Sequence, residues 1–160
     1  MGIELIRLDD RLIHGQVCIG WTRRKGVSVI LAVDDATAAN KMQCQLMKMA
    51  TPPGVTPVFL KTQEAIDKLK SNAYGNKKTM LLVKSVKALY DIVNAGIEIT
   101  DVNFGNLRTK GATNNLFGHV IATDEEVNMM KELSAKGVKM IAQDLPDAQS
   151  CNLNEVLKKI

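Results

Sequence analysis

The chain has 160 residues, enough for one domain with a real core, and its 46% hydrophobic and 24% charged residues are ordinary for a globular protein. Lys and Arg exceed Asp and Glu by 21 to 17. The lysines are dispersed, and one Trp, two Tyr and three Phe supply few stacking platforms, which excludes nucleic acid as an expected partner. Cys18, Cys44 and Cys151 are far apart and form no CxxC pair, which excludes a disulfide scaffold; with only two distant histidines, no metal site is expected. No apolar run reaches membrane-spanning length and no basic-then-apolar leader opens the sequence, so the expected location is the cytoplasm.

In chain order, Ile3 to Leu8 reads as a first strand, and Gln16 to Lys25 as a short helix closed by Gly26. Val27 to Val33 is an almost unbroken apolar run that suits a buried parallel strand. Thr37 to Ala50 has helical spacing through Met42, Leu46, Met47 and Met49, stopped by Thr51-Pro52-Pro53-Gly54. Thr56 to Leu60 is the third strand. Thr62 to Ser71 is a helix with Thr62 as its expected N-cap. Thr79 to Val83 is the fourth strand, Ser85 to Ala95 a helix closed by Gly96, and Asp101 to Phe104 the fifth strand. A Gly- and Asn-rich loop is expected from Gly105 to Asn115, then a short strand at Val120-Ile121. Thr123 with Glu126 three residues on opens a capping-box helix that runs to Lys136 and ends at Gly137. Val138 to Ala142 is the last strand and Leu153 to Ile160 a terminal helix. This alternation predicts a single α/β domain over 1–160, an open, mainly parallel sheet with helices on both faces.

The segment Arg7-Leu8-Asp9-Asp10-Arg11-Leu12-Ile13-His14-Gly15-Gln16 joins the first strand to the first helix. In an open α/β sheet, ligands bind at this carboxyl end. Imidazole is a nucleophile and is largely neutral near pH 7, with a lone pair on one nitrogen. A carboxylate from Asp9 or Asp10 would orient His14 or Arg11. The Arg11 guanidinium suits bidentate binding of phosphoryl oxygens, and Gly15 and the helix amides suit close approach of an anion. Nucleophile, charge neutralisation and positioning are what phosphoryl transfer requires. The competing reading is an Arg–Asp network that only clamps the loop.

The run Asp9-Asp10-Arg11-Leu12-Ile13-His14-Gly15-Gln16 resembles the active-site loop of the IIB components of the mannose/fructose/sorbose class of bacterial sugar phosphotransferase systems. Trp21, Val33-Asp34-Asp35, Leu81-Leu82-Val83-Lys84, Val102-Asn103-Phe104-Gly105-Asn106 and Lys136-Gly137-Val138 match the same family in kind and order. The resemblance implies about seven strands with the first near the centre. It implies a phosphohistidine–sugar phosphotransferase without cofactor, in which His14 takes phosphate at Nδ1 from the IIA protein or domain. The phosphate then passes to sugar at the IIC/IID membrane complex, with which the chain associates transiently. Catalytic roles are expected for His14, Arg11, Asp9 and Asp10. Two departures stand out: Gln143-Asp144-Leu145-Pro146 lacks a basic residue ahead of the proline, and the 105–118 loop has one glycine fewer at its start.

Outside the loop, Asp34 and Asp35 either join the rim or cap the next helix. Lys84, Arg108 and Lys110 are candidate phosphate or partner contacts, and His119 reads as a structural histidine. Neither GxGxxG after the first strand nor GxxxxGK[ST] is present, which sets nucleotide chemistry aside. The alternatives are a regulatory domain that senses phosphorylation and a histidine phosphohydrolase.

Overall fold

The computed structural model describes residues 2–160. Its main sheet has seven strands in the order β10-β9-β5-β1-β4-β2-β3. These are β1 (Ile3–Leu8), β2 (Val29–Val33), β3 (Thr56–Leu60), β4 (Thr79–Val83), β5 (Asp101–Phe104), β9 (Lys139–Ala142) and β10 (Cys151–Asn152). All neighbours pair in parallel except β10, which runs antiparallel along the edge of β9. Among the described residues the helices are α1 (Gly15–Lys25), α2 (Asp35–Ala38), α3 (Lys41–Ala50), α4 (Thr62–Lys70), α5 (Val86–Asn94), α6 (Asp124–Ala135) and α7 (Leu153–Leu157). The predicted parallel α/β sheet, with its first strand at the centre, is the observed one.

Side-chain alternation along the strands divides the interior into two cores. In β2, Val29, Leu31 and Val33 face α4–α7, while Ile30 and Ala32 face α1 and α3. In β4, Leu81 and Val83 share the first core, while Met80 and Leu82 share the second. The connection after β1 crosses β4 to reach β2, whereas the connection after β4 crosses β1 to reach β5. These opposite directions place α1 and α5 on opposite faces, so the carboxyl end of β1 lies where the winding reverses.

The boundaries that shifted have local causes. Gly26, at φ 65, closes α1, and the Val27 N–H is used to reach the Thr22 carbonyl at 2.9 Å, so β2 begins at Val29. The helix expected over 37–50 is two helices. Asp34 caps α2, and Asn40, in extended conformation, accepts from the Gln43 N–H at 3.1 Å and starts α3 afresh. Lys61 rather than Thr62 occupies the N-cap of α4; its N–H is taken by Glu64, while the Thr62 N–H is taken by Asp35 at 2.7 Å. The loop after β5 folds into a second sheet, β6 (Leu107–Arg108), β7 (Asn114–Phe117) and β8 (Val120–Ala122), ordered β6-β8-β7 and sealed by buried Leu107, Leu116 and Val120. Strands of two to four residues bury too little to show a period. The terminal helix stops at Leu157.

Leu31, fully buried at the middle of β2, and Leu46, exposed on α3, test this division between core and surface. Leu31→Ala should cost about 2–5 kcal/mol of unfolding free energy and Leu46→Ala no more than about 0.5 kcal/mol, both measured by urea denaturation followed by circular dichroism.

Candidate functional site

Parallel strands bring one end of each to a common rim. Beyond β1, the Asp9 N–H bonds to the Val83 carbonyl of β4 at 3.0 Å, and the Gly105 N–H bonds to the Leu8 carbonyl at 2.8 Å. The loop then turns tightly: the Leu12 N–H bonds to the Asp9 carbonyl at 3.0 Å, with Leu12 in the left-handed region at φ 55. That conformation is costly for a branched side chain. Leu12 and Ile13 are 1% and 3% exposed and packed in the core under α1, which offsets the strain. They anchor the loop and do not form a partner-facing patch.

Asp9 is fully buried and is the hub of the site. Its Oδ1 accepts from the Arg11 N–H at 3.1 Å and from Arg11 Nε at 3.0 Å; its Oδ2 accepts from Arg11 Nη2 at 2.9 Å and from Arg7 Nη2 at 3.4 Å. These donors satisfy the oxygens that burial removes from water. Arg7 is itself 2% exposed. It donates to Asn103, its cross-strand neighbour on β5, and to the Gln143 and Asp144 carbonyls at 2.8 and 2.9 Å. The indole of Trp21 lies 5.1 Å from its guanidinium carbon and donates Nε1–H to the Asp144 carbonyl at 2.8 Å. Burial draws the Arg7 pKa downward against the pull of Asp9 and Asp144, whereas the hydrogen bonds to Asp9 raise that of Arg11. A Cβ on Gly105 would lie 2.5 Å from Asp9 Oδ2 and 2.7 Å from Arg7 Cζ, so only glycine leaves room for this pair.

Asp9 and Asp10 therefore divide the work. Asp9 orients Arg11. Asp10 accepts from Asn106 Nδ2 at 2.7 Å and from the Arg108 N–H at 2.8 Å, tying the loop after β5 to the loop after β1. Arg11 is 39% exposed at its side chain; one edge is held by Asp9, with Asp144 Oδ1 at 3.4 Å. Its Nη1 makes no hydrogen bond among the described residues, leaving donors for an incoming anion.

His14 occupies the N-cap position of α1, with its side chain 25% exposed. Its Nδ1 lies 2.9 Å from the Leu12 carbonyl, a contact that requires the proton on Nδ1. Its Nε2 is buried without a hydrogen-bond partner among the described residues, 3.9 Å from Asp9 Oδ2. Cys18 follows one turn later, 4% exposed, and burial pushes its thiol pKa up to about 11. The cavity between these groups, lined by Arg7, Leu12, His14, Cys18 and Trp21, holds only about 10 Å³.

The other candidates separate cleanly. Asp34 and Asp35 cap or brace helices: Asp34 accepts from the Thr37 N–H and hydroxyl at 3.0 and 2.8 Å, and Lys84 lies 3.9 Å from it. Arg108 reaches the rim through its backbone and pairs its side chain with the exposed His119 Nδ1 at 3.0 Å. Lys110 is exposed and takes no part in the cluster. Arg7 and Asp144 are the members that sequence reasoning did not assign. Arg7 opens the segment singled out in the sequence but was given no role of its own, because it stands among strand residues. Asp144 sits in the segment already noted for its missing basic residue.

The family model described as "PTS system sorbose subfamily IIB component" matches residues 3–160. The "PTS system mannose-specific EIIAB component" of Escherichia coli (strain K12) is 29% identical over all 160 residues, which span 50% of that protein. The "PTS system fructose-specific EIIB component" of Bacillus subtilis (strain 168) is 28% identical, with 100% of this chain and 98% of the relative covered. The chain thus spans about half the length of its mannose-specific relatives and nearly all of the fructose-specific one. Among solved structures, the IIBSor domain of the sorbose permease from Klebsiella pneumoniae superposes with a TM-score of 0.92 at 24% identity, covering 99% of this chain and 98% of that one. The manxB structure from Thermoanaerobacter tengcongensis does so with 0.88 at 28% identity, covering 98% and 95%.

These findings correct one expectation. They support phosphotransfer by a IIB component at the level of the family and give His14 no acceptor role. The geometry agrees: phosphorylation at Nδ1 required a ring nitrogen open to solvent, yet Nδ1 is committed to Leu12 and Nε2 is sealed. The other nucleophile beside the loop is the Cys18 thiol.

Two outcomes follow from this packing. Gly105→Ala should lose about 1–3 kcal/mol of stability in chemical denaturation, because the added carbon pries Arg7 from Asp9. In timed iodoacetamide labelling read by peptide mass spectrometry, Cys44 and Cys151 should react first at neutral pH. Cys18, whose raised pKa keeps it a thiol, should label only as the pH climbs towards 11 or the protein unfolds.

Proposed function

The chain belongs to the family of sorbose-subfamily IIB components of the phosphotransferase system, a family of phosphotransferase enzymes, and on that premise we propose that the rim of Asp9, Asp10, Arg11 and His14 is its phosphotransfer site. The observation that carries this reading is the Arg11 guanidinium. It is held along one edge by a buried carboxylate, half-exposed along the other, and set at the carboxyl end of the central strand.

In this reading the free edge of Arg11 takes the oxygens of the arriving phosphoryl group and offsets the charge that accumulates as donor and acceptor meet. Asp9 fixes the angle of that edge. Asp10 keeps the 106–108 loop from swinging over it. The His14 ring walls the site on the α1 side. The donor is a phosphorylated IIA protein or domain, and the recipient is sugar at a IIC/IID membrane complex. Arg11 stands at an exposed rim, outside the small cavity behind His14, which favours transfer between macromolecules across a shallow surface. The sugar is then bound by the recipient complex.

Incubation with phosphorylated IIA donor, followed by intact-mass measurement and phosphosite mapping under both acid and base, tests the site and reads the accepting atom directly. One phosphate should arrive within residues 9–18, and its arrival requires the donor to open the loop, because the Cys18 thiol is buried in the free chain. Arg11→Ala should melt earlier than the wild type, because it strips two hydrogen bonds from the buried Asp9, yet at temperatures where it stays folded it should accept phosphate about 100-fold more slowly, the scale of losing one preorganised charge-stabilising group. A phosphosite elsewhere in the chain, or no uptake at all, would sink the proposal.

A further inference from the structure

Helix α3 is held to the domain along one side only. Met47 and Ala50 pack against the core under α1, while Met42, Leu46 and Met49 stand 75%, 60% and 83% exposed. Spaced i, i+4 and i+7, these three form one continuous ridge on the helix. The helix has no acidic residue, and its two cations, Lys41 and Lys48, fall together on one flank of the ridge.

The surroundings repeat that charge. The last turn of α1 carries Arg23, Arg24 and Lys25, all exposed. Arg23 shares a surface groove with Pro52, Pro53, Gly54 and Val55, the segment that leaves α3, so both basic groups lie on one side of the molecule. Between residues 11 and 55 the only acids are Asp34 and Asp35, and both are occupied: one caps α2 and faces Lys84, the other holds the Thr62 N–H. Exposed Asp147, 3.6 Å from Arg24, is the one carboxylate paired with this basic group among the described residues. The far side is mixed in sign, with Asp124 and Glu125 on α6 set among Lys68, Lys70, Lys131 and Lys136.

A protein-binding patch is usually anchored by aromatic residues in a concave, well-packed centre. This ridge is convex, lacks aromatics and is flanked by Lys41 and Lys48, a residue type depleted at protein interfaces. An apolar ridge with cations alongside is the composition of a helix that lies in a lipid–water interface, and the cations complement anionic headgroups. We propose that the α1/α3 side is a peripheral membrane-docking face for anionic phospholipid. Met42, Leu46 and Met49 enter the headgroup–acyl boundary, and Lys41, Lys48, Arg23, Arg24 and Lys25 lie on the phosphates. With a ridge of three side chains the attachment is weak and reversible. It does not depend on the phosphotransfer reading above.

Co-sedimentation of the full chain tests this, with vesicles of phosphatidylcholine mixed with phosphatidylglycerol set against phosphatidylcholine alone. Binding should occur on the mixed vesicles only and be released by salt. It should fall at least about tenfold in Met42→Ser/Leu46→Ser/Met49→Ser and in Lys41→Glu/Lys48→Glu. Both variants should melt as the wild type does, because every substituted side chain is exposed. No binding by the wild type, or equal binding by the triple variant, would overturn the proposal. So would a dimer in sedimentation equilibrium that the triple variant abolishes while vesicles capture neither protein, since the ridge would then join two copies of the chain.

Discussion

A buried carboxylate held between two guanidinium groups organises this molecule. Asp9 is fully buried, and Arg7, nearly as buried, reaches it from the strand below while Arg11 reaches it from the loop above. Neither charge is tolerable in the interior alone, and each is made tolerable by the others. The remaining donors of Arg7 go to Asn103 on β5 and to the carbonyls of Gln143 and Asp144 beyond β9. One side chain thereby ties three parallel strands together at their carboxyl ends. The network is at once the clamp that a purely structural reading of the loop anticipates and the frame that presents Arg11 to solvent; the two readings are not rivals here.

The sheet explains why the frame stands where it does. β1 is central and its carboxyl end is buried on both faces, so a polar side chain there must find partners inside the molecule. Arg7 points to the α1 side, where Trp21 supplies an aromatic face and an N–H that holds the same Asp144 carbonyl Arg7 uses. Gly105 gives up its side chain to admit the pair. The loop then spends a left-handed Leu12 to turn back into the core, and α1 begins at once.

Much of this was legible beforehand, for reasons that can be named. The strands Ile3–Leu8, Thr56–Leu60, Thr79–Val83 and Asp101–Phe104 announce themselves because short stretches rich in apolar or alternating residues between turn signals have few other fates. The Asp9-to-Gln16 run is legible because its chemistry is dense and contiguous. What stayed hidden depends on contacts across long stretches of chain. Arg7 meets Gln143 and Asp144, more than 130 positions away, and no local pattern encodes that. The roles of Asp9 and Asp10 are adjacent in sequence and opposite in direction, and only the backbone turn after Asp9 separates them. The acceptor assignment to His14 went wrong in the same way. Composition supplied a nucleophile, but ring orientation is set by the Leu12 carbonyl, which a string of letters does not show.

The two cores are unequal. The one beneath α4–α7 draws on every parallel strand and seals four helices, whereas the one beneath α1 and α3 rests on few residues, among them Leu12, Ile13, Cys18 and Trp21. Cooperative opening starts where the least apolar surface must be exposed. The α1–α3 layer should therefore exchange its amide hydrogens sooner than the layer behind the sheet, as a unit of its own. The molecule is then a rigid plate with a looser cover. The loop that carries Arg11 and His14 is the seam between them, stitched to the plate by Asp9 and to the cover by Leu12 and Ile13.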